Sequence, residues 1–239
     1  QASWVQAAFY GGYFTMALPA AYVVKRYSYK TGILVGLFLY AFGALLFYPA
    51  AAMENYTFFL LALYILTFGL AFLETTANPF ILSMGDEATA TQRLNLAQAF
   101  NPMGALMGLF VAQSFILGAL QSDDLDAQGN GIYESLSDSA KAVVKTADLE
   151  VIRNPYVALG IFVLLMMLVI SFVKMPNTTQ QESSTSLWSS IKRISRNERF
   201  VGGVIAQLFY VGAQIMCWTY IYQYAENLGI ENQKAVNYA

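Results

Sequence analysis

The sequence predicts an all-α, polytopic transmembrane helical bundle, and three observations carry that prediction. Of the 239 residues, 57% are hydrophobic and only 12% charged, with a mean hydropathy of +0.47; soluble domains carry charge on about a quarter of their residues. The apolar residues gather into six continuous runs, each near the length of about 20 residues that crosses a bilayer as a helix. The few remaining charges are sorted by loop.

The six runs are residues 5–24, 33–53, 58–82, 94–120, 156–173 and 200–224. All are continuous, Gly-containing and rich in Leu, Ala and Phe, whereas a barrel strand alternates apolar and polar residues over about ten positions. Backbone polar groups in hydrocarbon must be satisfied within the segment, so each run is read as a helix. The loop after the first run holds Lys25, Arg26 and Lys30, and the connection before the sixth holds Lys174, Lys192, Arg193, Arg196 and Arg199. Both are expected on the cytoplasmic side. Residues 121–154 carry seven acids (Asp123, Asp124, Asp126, Glu134, Asp138, Asp148 and Glu150) against three bases, and are expected outside as a solvated acidic loop. Within that loop, 128–131 (QGNG) signals a turn and 135–151 has helical character. The Glu54–Asn55 turn then falls outside and residues 85–93 inside. This alternation puts Gln1 outside, which leads to the expectation that at least one further helix precedes it.

Residues 176–186 (PNTTQQESSTS) form the one low-complexity stretch and read as a boundary between two bundles. Residues 187–194 (LWSSIKRI) follow as an amphipathic, basic segment suited to lying on the inner leaflet.

Glu74 is the most informative residue. It is a lone carboxylate within 58–82, and an ionisable group at membrane depth costs several kcal/mol unless a cavity or partner receives it. Asn78 lies four residues on, hence on the same helix face, and Pro79 removes a backbone donor beside it. In the next run Asn95, Gln98 and Asn101 step by three, with Pro102 directly after. Amides both donate and accept, which suits a ligand bearing several hydroxyls. In the last run Tyr210, Gln214 and Trp218 step by four, and an indole face beside an amide is suited to a sugar. Plainer readings compete. Glu74 can make a structural interhelical bond, Asn95 and Gln98 can serve as helix glue, and Trp218 can belong to an interfacial aromatic belt with Tyr220, Tyr222 and Tyr224. The spacing of Gly104 and Gly108, and the pair Gly11 and Gly12, are read as close helix packing.

Composition also narrows the chemistry. There is one cysteine, Cys217, and no histidine, which argues against an internal disulfide, zinc chemistry and a histidine proton relay. No phosphate-cradling Gly-rich loop or hydrolase motif is present, so neither an ATPase nor another enzyme is expected, and no cofactor or metal is implied. A midplane carboxylate can exchange a proton or hold a hydroxylated ligand, and proton-coupled transport is the leading class.

The blocks 8–20 (AFYGGYFTMALPA), 28–47 (SYKTGILVGLFLYAFGALLF), 72–80 (FLETTANPF), 93–105 (RLNLAQAFNPMGA) and 210–220 (YVGAQIMCWTY) closely resemble the L-fucose/proton symporter (fucose permease) branch of the major facilitator superfamily. The resemblance covers most of the apolar runs and not the acidic loop or the polar linker. It implies a twelve-helix transporter in two six-helix halves, of which this chain holds helices two to seven: 1–175 as the remainder of the first half, 176–199 as a cytoplasmic linker, and 200–239 as the start of the second half. It implies that Glu74 lines the central cavity in sugar recognition and proton coupling, and that Asn101, with Gln98 one turn earlier, contacts the sugar. Ala21 stands where the superfamily's loop motif usually has glycine.

The resulting expectation is a symporter for L-fucose or a related monosaccharide working by alternating access. Its substrate-binding residues are Glu74, Asn78, Gln98, Asn101, Gln214 and Trp218, and Glu74 couples the proton. A bacterial inner-membrane location, a monomeric full-length form in the lipid bilayer and no nucleic-acid partner complete the expectation. The coupling ion is left between proton and sodium. An uncoupled sugar facilitator and a transporter-like sugar receptor are the alternatives.

Overall fold

The structure is a computed structural model describing residues 2–122, 131–175 and 187–228. The regular elements among these residues are helical, and six of the helical stretches are long and apolar enough to cross a membrane: Trp4–Arg26, Tyr29–Ala52, Tyr56–Ser83, Glu87–Leu117, Asp138–Phe172 and Glu198–Cys217. The expected turn at 128–131 lies outside the described residues except for Gly131, as does the 176–186 linker.

The first stretch is α1 (Ala2–Arg26), whose last turn holds Lys25 and Arg26, cations placed favourably at the negative end of the helix dipole. Next comes α2 (Tyr29–Leu45), started by the Ser28 hydroxyl, which accepts from the Thr31 amide. Four residues after Leu45 stands Pro49, which has no N–H to give the Leu45 carbonyl. The helix accordingly breaks at Leu46 and resumes as α3 (Phe47–Ala52). A tight turn with Glu54 at φ 49° leads into α4 (Tyr56–Ser83), capped by Asn55 accepting from the Phe58 amide. After Gly85, at φ 78°, and a 3₁₀ turn at Glu87–Thr89 come α5 (Ala90–Gln98) and α6 (Phe100–Val111). With the turns at either end they form the one span Glu87–Leu117, in the place of the expected run 94–120 but interrupted within it. Pro102 cannot donate to the Gln98 carbonyl, so the helix is interrupted at Ala99, and beyond α6 it loosens into a π-helical stretch at Ala112–Leu117.

The acidic segment departs most from expectation. After the short α7 (Ile132–Ser135), α8 runs unbroken from Asp138 to Phe172, capped by Ser137 and passing through Pro155. Its 35 residues span about 52 Å at 1.5 Å per residue. The expected fifth run is thus only the C-terminal half of a longer helix. Asp148, expected in a solvated loop, is buried at 7% exposure and accepts from the amides of Gln121 at 2.8 Å and Ser122 at 3.0 Å. That carboxylate ties the end of the fourth span to α8.

Residues 1–180 form one compact unit and 181–239 a second. In the first, α2 is the central helix, packed against α4 on one side and α8 on the other, with α1 and α5 also against α4. Gly32 meets Thr76, Gly36 meets Phe72 and Leu73, and Gly43 meets Leu66. The partner number falls as the glycine number rises, so α2 and α4 are antiparallel. Gly43 and Gly69 bring backbone against backbone, opposite Leu66 and Tyr40 respectively. The core on this seam is Tyr29, Ile33, Leu37, Ala41, Phe80 and Val163, continued by Ala44, Phe47, Ala62 and Leu66. Phe47 stacks on Tyr156 of α8 at 3.9 Å. Of the expected packing glycines, Gly11 and Gly12 do meet α4, at Tyr64 and Thr67, whereas Gly104 and Gly108 face open space.

Polar ties close both ends of α8. At one, Lys30 donates to the carbonyls of Ser171 (2.7 Å) and Val173 (2.8 Å). At the other, Glu54 pairs with Lys145 at 2.8 Å and accepts from Thr146 at 2.9 Å. The basic loop and the acidic segment therefore lie at opposite ends of the first unit, in agreement with the charge sorting. The second unit comprises α9 (Leu187–Ile194), the basic amphipathic segment, and α10 (Glu198–Asn227), started by Asn197 accepting from the amides of Arg199 and Phe200.

Candidate functional site

The two faces of α4 have different chemistry. At 100° per residue, Leu66, Gly69, Phe72, Thr76 and Phe80 cover the side packed on α2. Tyr64, Thr67, Glu74 and Asn78 fall within an arc of about 80° on the other side. Thr67 and Thr76 are fully buried, and each hydroxyl is returned to its own helix, at Tyr64 O (2.8 Å) and Phe72 O (2.6 Å). Glu74 is not returned in this way. Its side chain is exposed on the open face and accepts from the Tyr13 hydroxyl of α1 at 3.2 Å. Close approach of α1 to α4 at Gly12 makes that reach possible. Further along the same contact, the hydroxyls of Thr15 and Tyr64 bond at 3.1 Å.

One turn beyond Glu74, Gln98 of α5 donates through Nε2 to Asn78 Oδ1 at 3.0 Å. The structure therefore brings Glu74, Asn78 and Gln98 onto one polar strip, with Tyr13 added. Asn101 lies on α6, exposed, and makes no side-chain hydrogen bond among the described residues; Asn95 is exposed on α5. Gln214 is half-buried on α10 in the second unit, and the side chain of Trp218 lies outside the described residues. Tyr13, Thr15 and Tyr64 are the polar residues that sequence reasoning missed. For Tyr13 the available signal was a hydroxyl beside Gly11 and Gly12 in a first span that has no charge before Lys25; Thr15 and Tyr64 carried no such signal.

The nearest cation along α5, Arg93, is occupied elsewhere. It donates to the carbonyls of Ile81, Leu82 and Asp86 and to the Thr89 hydroxyl, closing the end of α4. No three His, Cys, Asp or Glu side chains converge as a metal site among the described residues. The strip offers one carboxylate, a phenol and two amides, a set that can exchange a proton and hydrogen-bond hydroxyl groups.

Comparisons with known proteins agree with the fold and with the sequence resemblance. The chain is 54% identical over 239 residues to the L-fucose-proton symporter of Haemophilus influenzae, covering all of this chain and 56% of that protein. It is 40% identical to the L-fucose-proton symporter of Escherichia coli, covering 55% of it. It is 30% identical to a putative glucose/galactose transporter of Helicobacter pylori, covering 54%. The chain thus spans about half the length of the curated relatives it matches. It superposes on a crystal structure of the transporter FucP in the outward conformation with a TM-score of 0.83 at 39% identity, over all of this chain and 58% of that one. The Major Facilitator Superfamily family model matches residues 1–238, and the chain belongs to that superfamily.

Proposed function

We propose that this chain is part of a proton-coupled symporter for L-fucose or a related monosaccharide, working by alternating access in a bacterial inner membrane. The observation that carries the proposal is Glu74, held on the open face of α4 by Tyr13, one turn from the Asn78–Gln98 pair. Burying a carboxylate in lipid without such a setting costs several kcal/mol, and a proton taken from water neutralises it. Relatives named as L-fucose-proton symporters support the substrate class and the ion.

In this reading residues 1–175 are most of one half, 176–199 the cytoplasmic linker, and 200–239 the beginning of the other half. Glu74 cycles between ionised and protonated forms. Gln98, Asn78 and Asn101 hydrogen-bond sugar hydroxyls, while Gln214 and Trp218 contribute from the second half. The two halves rock about a midplane site, and the full-length carrier is a monomer.

The test is uptake of labelled L-fucose and D-glucose by the full-length carrier in proteoliposomes under an imposed proton gradient. Wild-type protein is expected to concentrate L-fucose only when the outside is the more acidic side, and Glu74→Gln to bring it no higher than equilibrium. Unchanged, pH-driven accumulation in Glu74→Gln removes the residue from coupling. Wild-type uptake that follows the sugar gradient alone replaces the symporter with a facilitator.

A further inference from the structure

We propose that Arg93 is a positioning residue for the sugar site: it clamps the start of α5 to the end of α4, and that register is what carries Gln98 to Asn78. This rests on the reading of Gln98 and Asn78 as sugar contacts and goes beyond it, because it gives a part in substrate affinity to a cation bonded away from the polar strip.

The half-buried guanidinium grips three successive pieces of chain. Nε and Nη2 donate to the carbonyls of Ile81 (3.4 Å) and Leu82 (3.3 Å) in the last turn of α4. Nη1 donates to the Asp86 carbonyl in the connecting loop at 2.9 Å and to the hydroxyl of Thr89, the residue that opens α5, at 2.5 Å. Gly85 lets the loop fold this closely. It is left-handed at φ 78°, a conformation glycine adopts freely, and a Cβ there would stand 3.4 Å from Nη1. A cation that only completed the end of α4 would need no more than the orphan carbonyls of its last turn. Arg93 reaches past them to the loop and to the start of α5, so the two helices are tied across their connection.

The place of Gln98 follows from this tie. Helix α5 has nine residues and ends at the Ala99 interruption, so the hydrogen bonding of α6 does not run on through it to dictate its register on α4. Gln98 lies five residues beyond Arg93, about 7.5 Å along the axis, and donates to Asn78 Oδ1 at 3.0 Å. A slip of α5 by one residue moves Gln98 by about 1.5 Å and turns it by about 100°, which takes that contact out of hydrogen-bond range. The bond also orients both amides. A side chain whose Nε2 faces Asn78 turns its Oε1 elsewhere, so Gln98 presents an acceptor and Asn78 a donor to a sugar hydroxyl. Loosening the clamp weakens recognition without altering either amide.

The experiment measures equilibrium binding of labelled L-fucose to the detergent-purified full-length carrier, per mole of monodisperse protein. It compares wild type, Arg93→Lys, Arg93→Met, Gln98→Ala and each Arg93 variant combined with Gln98→Ala. Lysine keeps the charge and methionine the apolar stem, but neither has the planar fork. The affinity is expected to fall about three- to tenfold, the worth of about one hydrogen bond, in whichever of the two stays monodisperse. In the Gln98→Ala background the same substitution is expected to change affinity less than about twofold, because the contact it positions is already gone. A merely structural clamp lowers the amount of monodisperse protein and leaves its affinity at the wild-type value. That result, with Gln98→Ala weakened, overturns the role of Arg93 alone, as does an Arg93 effect that keeps its full size on top of Gln98→Ala. Wild-type affinity in Gln98→Ala overturns Gln98 as a sugar contact, and the positioning role with it.

Discussion

Asp148 and Glu74 show how differently two carboxylates of one chain can be used. Asp148 sits in a segment so acidic that a solvated loop was the natural expectation. The structure buries it and hands it two backbone amides, those of Gln121 and Ser122. It supplies the acceptors that these two amides, outside any helix, need. Asp148→Ala is expected to leave both donors without a partner, at a cost of about 1–3 kcal/mol. A lower unfolding temperature of the detergent-purified full-length protein is the measurement; an unchanged one contradicts this role. Glu74 satisfies no backbone group and is met by a side chain from another helix. That contrast separates a structural acid from the one proposed to act in transport, and hydropathy alone does not make the distinction for Asp148.

Among the elements, α2 and α4 are held by close backbone approach. Gly43 lies against Leu66 and Gly69 against Tyr40, where any Cβ meets main-chain atoms. Main chain cannot step aside as a flexible side chain can, so Gly69→Leu is expected to cost at least the roughly 1–3 kcal/mol typical of overpacking. Loss of the monodisperse peak in size-exclusion chromatography of the full-length protein reports it, and a wild-type yield argues against the seam. Gly32 and Gly36 have the spacing of a close-packed seam but were not singled out in the sequence, whereas Gly104 and Gly108, which were, have the same spacing and meet nothing here. Spacing shows that close approach is possible, and only a neighbour makes it real.

A second element-scale tie is the turn before α4, where Lys145 and Thr146 hydrogen-bond Glu54 and hold its carboxyl below the usual glutamate range. A depressed folded-state value means the stabilisation is present above the unfolded value and is lost as pH falls through the folded one. The stability difference between wild type and Lys145→Ala is therefore expected at neutral pH and should vanish as the medium is acidified below the ordinary glutamate range. A thermal-melt series across pH measures it, and a difference that persists or grows in acid contradicts the assignment. Because the pair is exposed, its effect is small and weakened by salt.

For the whole molecule, 239 residues cover 54–56% of three curated relatives. A polypeptide of only these residues, reconstituted alone, is expected to accumulate no L-fucose above background under a proton gradient, because a carrier that alternates access needs both walls of its site. Counterflow of labelled sugar in proteoliposomes checks this, and robust exchange would require a self-sufficient first half. Much was legible in the amino acids themselves: six spans, the opposite placement of basic and acidic ends, and the lone carboxylate within the third span. These are properties of local composition, since hydrocarbon selects long apolar runs and penalises each buried charge separately. Only the tertiary structure decided that Tyr13 meets Glu74, that Gln98 rather than Asn101 meets Asn78, and that Asp148 is buried. Each depends on the rotation of one helix about its axis and its shift along a neighbour. A helix apolar on nearly every side carries no amphipathic stripe to declare that rotation in advance.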